Sequence, residues 1–232
     1  MAITSEYPRA DVLRQGIILR SIVSATMITK NPDLARFLSW DGKNYILNNA
    51  DGTYGAITVD DMHIVGAFFD SESSLNPYVS KVPHDIAALF RGMPPQLRSI
   101  ADNQTLKYNR QVYRGELVSL ITALFWSDGE YLSAALPWQQ VFRNGAHIIR
   151  VELMEDTEAA LKEWQDSYQC SPEELVFARS LFDRRMSDPS GSVVLNGSEV
   201  EWLRRRSNNS EAFADCLRAL EPLQIVAEVR SP

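Results

Sequence analysis

Histidine is the commonest acid, base and metal ligand near neutral pH, so chemistry is sought first at the three histidines of this chain. His63 follows Asp60 and Asp61, which together offer the donors of a small metal or acid-base cluster. If Met62 to Phe69 is a strand, His63 instead shares a face with Val65, Ala67 and Phe69 and is a structural side chain. No further ligand group stands at a recognisable spacing. His84 precedes Asp85 at a helix start, but neighbours on a helix do not face one another, and capping by Asp85 is the expected role. His147 alternates with Ile149, Val151 and Leu153 and is expected to pack on a strand face.

The nucleophile and nucleotide signatures G-x-S-x-G, S-x-x-K, G-x-G-x-x-G and G-x-x-x-x-G-K-[ST] are missing, as is the zinc motif H-E-x-x-H. No cofactor and no metal are expected. Cys170 and Cys216 lack C-x-x-C spacing and are expected to be buried free thiols. Cys170 lies just before a helix N-cap, where the helix dipole would lower a thiol pKa. Arg204 to Arg206 is the one basic run, suited to a phosphate or an acidic partner, but a helix C-terminus favours such charges for structural reasons.

The net charge is −7, and its distribution is uneven. Subtracting Asp and Glu from Lys and Arg gives +2 for residues 1–40, −5 for 41–85, +3 for 86–150, −7 for 152–174 and 0 for 175–232. Duplex binding needs a concentration of Lys and Arg to displace counterions, so a nucleic-acid partner is not expected. Within the second acidic segment Glu155, Asp156, Glu158, Glu163 and Asp166 face Lys162 alone, while Trp164 and Tyr168 share a stripe with Leu161. Aromatic anchors inside an acidic rim are the composition of a charge-steered protein interface, although a solvated helix face is the usual origin of such a run. In the first acidic segment, Asp60, Asp61, Asp70 and Glu72 are assigned to the same partner surface.

The elements that would position these residues follow from period and punctuation. Helical spacing runs from Pro8 to about Thr29, and Asn31-Pro32-Asp33 opens a short helix through Phe37. Lys43 to Asn48, Thr53 to Val59 and Met62 to Phe69 read as a three-stranded antiparallel meander, with turns at Asp51-Gly52 and Asp60-Asp61 and a polar exit loop from Ser71 to Pro77. Helices are expected at Pro83 to Arg91 and Pro94 to about Asp102, and residues 105–113 read equally as strand or loop. Glu116 to Trp126, apolar nearly all round, is expected to be the central core helix. Asn144-Gly145 reads as a hairpin turn between Trp138 to Phe142 and His147 to Leu153. Helices follow at Thr157 to Tyr168 and Pro172 to Met186, the second opened by the capping box Ser171-Pro172-Glu173-Glu174. A strand at Ser192 to Leu195, a capping box from Ser198, a helix capped by Ser210 and a last strand from Leu223 to Val229 complete the chain.

Hairpins and meanders in place of regular β-α-β alternation define an α+β fold, antiparallel in the N-terminal half and mainly helical in the C-terminal half. A single domain of 1–232 is expected, or two closely packed lobes divided near residue 153. The apolar run after Gly16 is broken by Arg20 and no basic n-region precedes it, so the cytoplasm is the expected compartment and no membrane association is expected. The function expected from these features is a non-catalytic module that binds a basic protein, most concretely an immunity-type inhibitor neutralising a cognate bacterial toxin through an acidic surface. The alternatives are a metal-dependent hydrolase with a dispersed site near Asp60, Asp61 and His63, and a structural or assembly subunit.

Overall fold

The computed structural model describes residues 6–60, 62–80 and 85–227. The fold is α+β. The chain divides into two units, Met1–Leu13 with Asp41–Leu153 and Arg14–Trp40 with Met154–Pro232. The chain passes between them after Leu13, after Trp40 and after Leu153, so that Arg14–Trp40 belongs with the C-terminal unit. The first crossing lies inside helix α1 (Ala10–Ile28).

The chain forms a five-stranded antiparallel sheet, all but the first strand of which lies wholly in the first unit. Strand β1 (Leu38–Asp41) contains the crossing at Trp40, and the meander follows as β2 (Asn44–Asn48), β3 (Thr53–Asp60) and β4 (His63–Asp70). The register runs from Asn44↔Thr58 to Asn48↔Tyr54 and from Thr53↔Asp70 to Asp60↔His63, antiparallel throughout. Gly52 takes φ +93° at the first turn. Asp60 pairs with His63, so the second reversal follows Asp60, and Asp61 lies outside the described residues. Short helices α2 (Ile86–Leu89) and α3 (Pro95–Ile100) come next, with Asp85 capping the first through Ala88 N–H as expected. The expected start of that helix at Pro83, and His84, lie outside the described residues.

The expected core helix from Glu116 to Trp126 is a correction. Residues 105–113 end in β5 (Arg110–Tyr113), which pairs with β6 (Glu116–Ser119), and the next apolar run is β7 (Ala123–Ser127). The sheet order is β1-β2-β3-β4-β7. A strand buried on both faces is apolar all round, as a buried helix is, so periodicity does not distinguish them. β7 is buried at every position, and its register places Phe125 opposite Gly66. A Cβ at residue 66 would lie 2.2 Å from the Phe125 ring, so the glycine is what lets that ring lie on the strand. Phe68, Phe125 and Trp138 continue the packing, with ring centroids 6.2 and 5.8 Å apart. A second layer joins Val65, Ala67, Leu124 and Trp126 to Leu97, Ala101 and Leu106.

The expected hairpin around Asn144-Gly145 is a second correction. Trp138–Arg143 is helix α4, and Ala146–Ile149 is a 3-10 turn. Pro137 precedes the first helical residue, and Gly145, at φ +143°, ends the helix instead of turning a hairpin. His147 therefore stands on a turn, not on a strand face.

The second unit contains residues 14–28 of α1, helices α5 (Thr157–Tyr168) and α6 (Pro172–Ser187), strand β8 (Val193–Leu195), helices α7 (Gly197–Arg206) and α8 (Ser210–Leu220), and strand β9 (Ile225–Ala227). β8 and β9 pair in parallel. Residues 21–29 are all buried, and three of their hydroxyls back-bond to the helix: Ser21 donates to Ile17 O at 2.8 Å, Thr26 to Ile22 O at 2.9 Å and Thr29 to Thr26 O at 2.7 Å. The Ser171 capping box forms as expected. The other two caps are displaced: Asn196, not Ser198, caps α7 in a box with Glu199, and Asn209, not Ser210, caps α8. In both cases asparagine carries the acceptor oxygen and starts the helix earlier.

Candidate functional site

The predicted partner residues fall in different surroundings. Asp60 is ion-paired with Lys43. Asp70 is buried at 4% exposure, and its Oδ1 accepts from Glu72 N–H at 2.9 Å. Glu72 itself is exposed. Among the described residues no three His, Cys, Asp or Glu side chains come together to hold a metal ion.

Folding brings Asp70 to His147 and Thr53, a grouping that spacing along the chain does not suggest. Asp70 Oδ2 lies 3.9 Å from His147 Nδ1, and His147 Nε2 lies 3.5 Å from Thr53 Oγ1. Carboxylate, imidazole and hydroxyl in that order are the parts of a nucleophilic relay. Both separations exceed those of working proton-transfer contacts, and Thr53 is 2% exposed, closed to any substrate carbon. The arrangement fastens loops. Thr122 Oγ1 accepts from Asp70 N–H at 2.9 Å and donates to Asn144 O, while Ser73 Oγ donates to Asn144 Oδ1 at 2.6 Å.

In the second unit, Asp156 caps α5 by accepting from Glu158 and Ala159 N–H, and Glu158 pairs with Arg179. Glu155, Asp156 and Asp166 are exposed and pair with no cation among the described residues. Glu163 is half-buried. Trp164 is 3% exposed and belongs to the core, and the Tyr168 hydroxyl accepts from Arg20 Nε at 3.3 Å. The stripe shared by Leu161, Trp164 and Tyr168 is thus the inward face of α5, and the acidic rim there has no aromatic anchor. Arg206 pairs with Glu173 and lies 4.3 Å over the Trp202 ring, so the basic run is used at least in part inside its own unit. Glu174, buried, pairs with Lys30. Burial alone would raise its pKa, but Lys30 and the Ser171 cap hold it below the usual carboxylate value. Cys170 corrects another expectation: burial, with Glu174 beside it, pushes the thiol up to about 11 despite the neighbouring helix start.

Exposed apolar side chains occur in both units, at Val176, Val194 and Val226 in the second and grouped in the first, on residues the sequence did not single out. Tyr78, Val79, Val112 and Leu117 are 56%, 69%, 69% and 66% exposed. Three of them lie around the β5–β6 hairpin. Val112 and Leu117 are cross-strand partners on the β5–β6 hairpin, Tyr78 packs edge-on to Tyr113 at 5.2 Å, and the Tyr113 hydroxyl donates to Pro77 O at 3.2 Å. The hairpin turns at Arg114-Gly115, with φ +51° and +86°, the two positive values of a type I′ turn. The alternation of Arg110 to Tyr113 and that glycine were the available signal. The arginine in front of the glycine, where asparagine or aspartate is usual, obscured it.

An open depression lined by Leu195, Asn196, Ser198, Val200, Glu201 and Arg204 lies at the start of α7. Its helix-end donors Ser198 and Glu199 N–H are already taken by Asn196 Oδ1. No protein-family model, no curated protein and no solved structure matches the chain.

Proposed function

We propose that the protein is a non-catalytic protein-binding module, most concretely an immunity-type inhibitor that neutralises a cognate bacterial toxin in the cytoplasm. The observation that carries this reading is the exposure of Tyr78, Val112 and Leu117 around the β5–β6 hairpin. Clustered apolar exposure of this kind marks interaction surfaces, and tyrosine is a favoured anchor at them. A basic partner is favoured by the net charge of −7 and by the uncompensated carboxylates of Glu155, Asp156 and Asp166 in the second unit.

The test is genetic. Host cells lacking the gene are expected to be poisoned by contact with their own wild-type siblings, and the wild-type chain restores protection. Tyr78→Ser with Val112→Ser, folded by circular dichroism, does not. Deletion cells that stay insensitive overturn the reading. With a partner in hand, Glu155→Gln, Asp156→Asn and Asp166→Asn together are expected to slow association about tenfold at low salt and little at high salt. The same exposed hairpin would serve a structural or assembly subunit, and sedimentation velocity separates the two: stable self-association at micromolar concentration favours the subunit.

A further inference from the structure

The β5–β6 hairpin has two edges in different states. Its two-residue turn makes Tyr113↔Glu116 a hydrogen-bonded pair, and pairs alternate from there, so Val112↔Leu117 and Arg110↔Ser119 direct their N–H and C=O groups outward. Leu120 N–H donating to Asn109 O at 2.9 Å agrees with that alternation. On the β5 edge, the outward Val112 O faces the Tyr78 hydroxyl at 3.5 Å. On the β6 edge, the outward groups of Leu117 and Ser119 have no backbone partner among the described residues.

We infer that the β6 edge receives an extended strand of a basic partner protein, one that alternates apolar side chains with lysine or arginine. This rests on the reading of the neighbouring face as protein-binding. Unpaired donors and acceptors along an edge strand are a template for strand addition. The side chains bordering the edge select what is added. On one face Leu117, 66% exposed beside Val112, takes an apolar neighbour. On the other, Glu116 is exposed and pairs with no cation among the described residues, so it takes a basic one. Arg114 leans over the Tyr113 ring at 5.2 Å, toward β5 and away from this edge.

The test uses the full chain with a labelled acetyl-(Lys-Val)4-amide peptide and its Glu-Val counterpart, read by fluorescence anisotropy and amide hydrogen exchange. The Lys-Val peptide is expected to bind at least about tenfold more tightly than the Glu-Val peptide and to slow exchange at Leu117 and Ser119 about tenfold or more at saturation. Leu117→Pro, tolerated because that N–H faces away from the hairpin, is expected to abolish binding, whereas Leu117→Ala keeps the donor and retains protection at Ser119. Glu116→Gln is expected to remove most of the preference for the basic peptide. Unprotected Leu117 and Ser119 amides, equal binding of the two peptides, or protection of those amides by self-association without peptide each overturn the inference, the last by making a second copy the occupant. The protection assay separates this from the broader reading. If Tyr78→Ser abolishes protection of host cells and Leu117→Pro does not, the face binds a partner but the edge does not. If deletion of the gene has no effect, the broader reading fails first.

Discussion

At the residue scale, burial sets the chemistry of the cysteines. Cys216 is fully buried and desolvation pushes its thiol up to about 12, while Cys170 is held near 11. Both are expected to resist a thiol reagent at pH 8 in the folded protein and to react in denaturant, with nucleophilic thiolate scarce until the chain opens. The sign of the pH effect follows. A thiol with a raised folded pKa favours folding while protonated, so stability is fully present below the unfolded value of 9.0 and falls as pH rises through 11 and 12. Melting temperatures from pH 8 to 11 are expected to fall less steeply in Cys170→Ala. An equal slope would remove the thiol from the explanation. The apolar stripe of α5 was legible in the sequence, but its direction was not. Leu161 and Trp164 at helical spacing identify a face, and only the packed core shows that it points inward.

At the element scale, caps and turns follow from local chemistry, and their errors are small displacements. Asn196 Oδ1 accepts from Ser198 and Glu199 N–H, both at 3.0 Å, so Asn196→Ala is expected to cost about 1 kcal/mol in urea denaturation. Ser198→Ala, the substitution a box at Ser198 would make costly, is expected to cost a few tenths, roughly the value of an exposed site. The reverse order would restore the later cap. Gly66→Ala is expected to cost about 2 to 3 kcal/mol, because the added methyl meets the Phe125 ring across a sheet buried on both faces. A loss below about 0.5 kcal/mol, typical of an unconstrained surface site, would show that the ring moves freely. Glu116 to Trp126 was misread because its apolar residues match a buried helix and two strands equally well.

At the scale of the whole molecule, the two units are threaded by one chain that crosses between them inside α1, after Trp40 and after Leu153. The N-terminal residues belong to the first unit: Tyr7 Oη donates to Leu136 O, Ala10 N–H to Glu130 O and Leu132 N–H to Pro8 O, each at 2.8 Å. The segment Asp41–Leu153 made alone is therefore expected to melt broadly and bind a hydrophobic dye. Restoring residues 1–13 through an equal-length Gly-Ser linker in place of Arg14–Trp40 is expected to sharpen the transition. A cooperative melt of Asp41–Leu153 without the N-terminal residues would show that they are dispensable. Among the described residues no helix is long and apolar enough to cross a membrane. The sequence by itself determined the α+β class, the meander and the helices from Thr157 onward, because turn glycines, capping residues and hydrophobic period act over a few neighbouring positions. Tertiary structure decided whether the run from Glu116 was helix or strand, which aromatics were core, and which apolar side chains were left on the surface. Those outcomes depend on what distant segments cover, as Trp164 and Leu117 show: both are large apolar side chains beside acidic residues, and one is buried while the other is exposed.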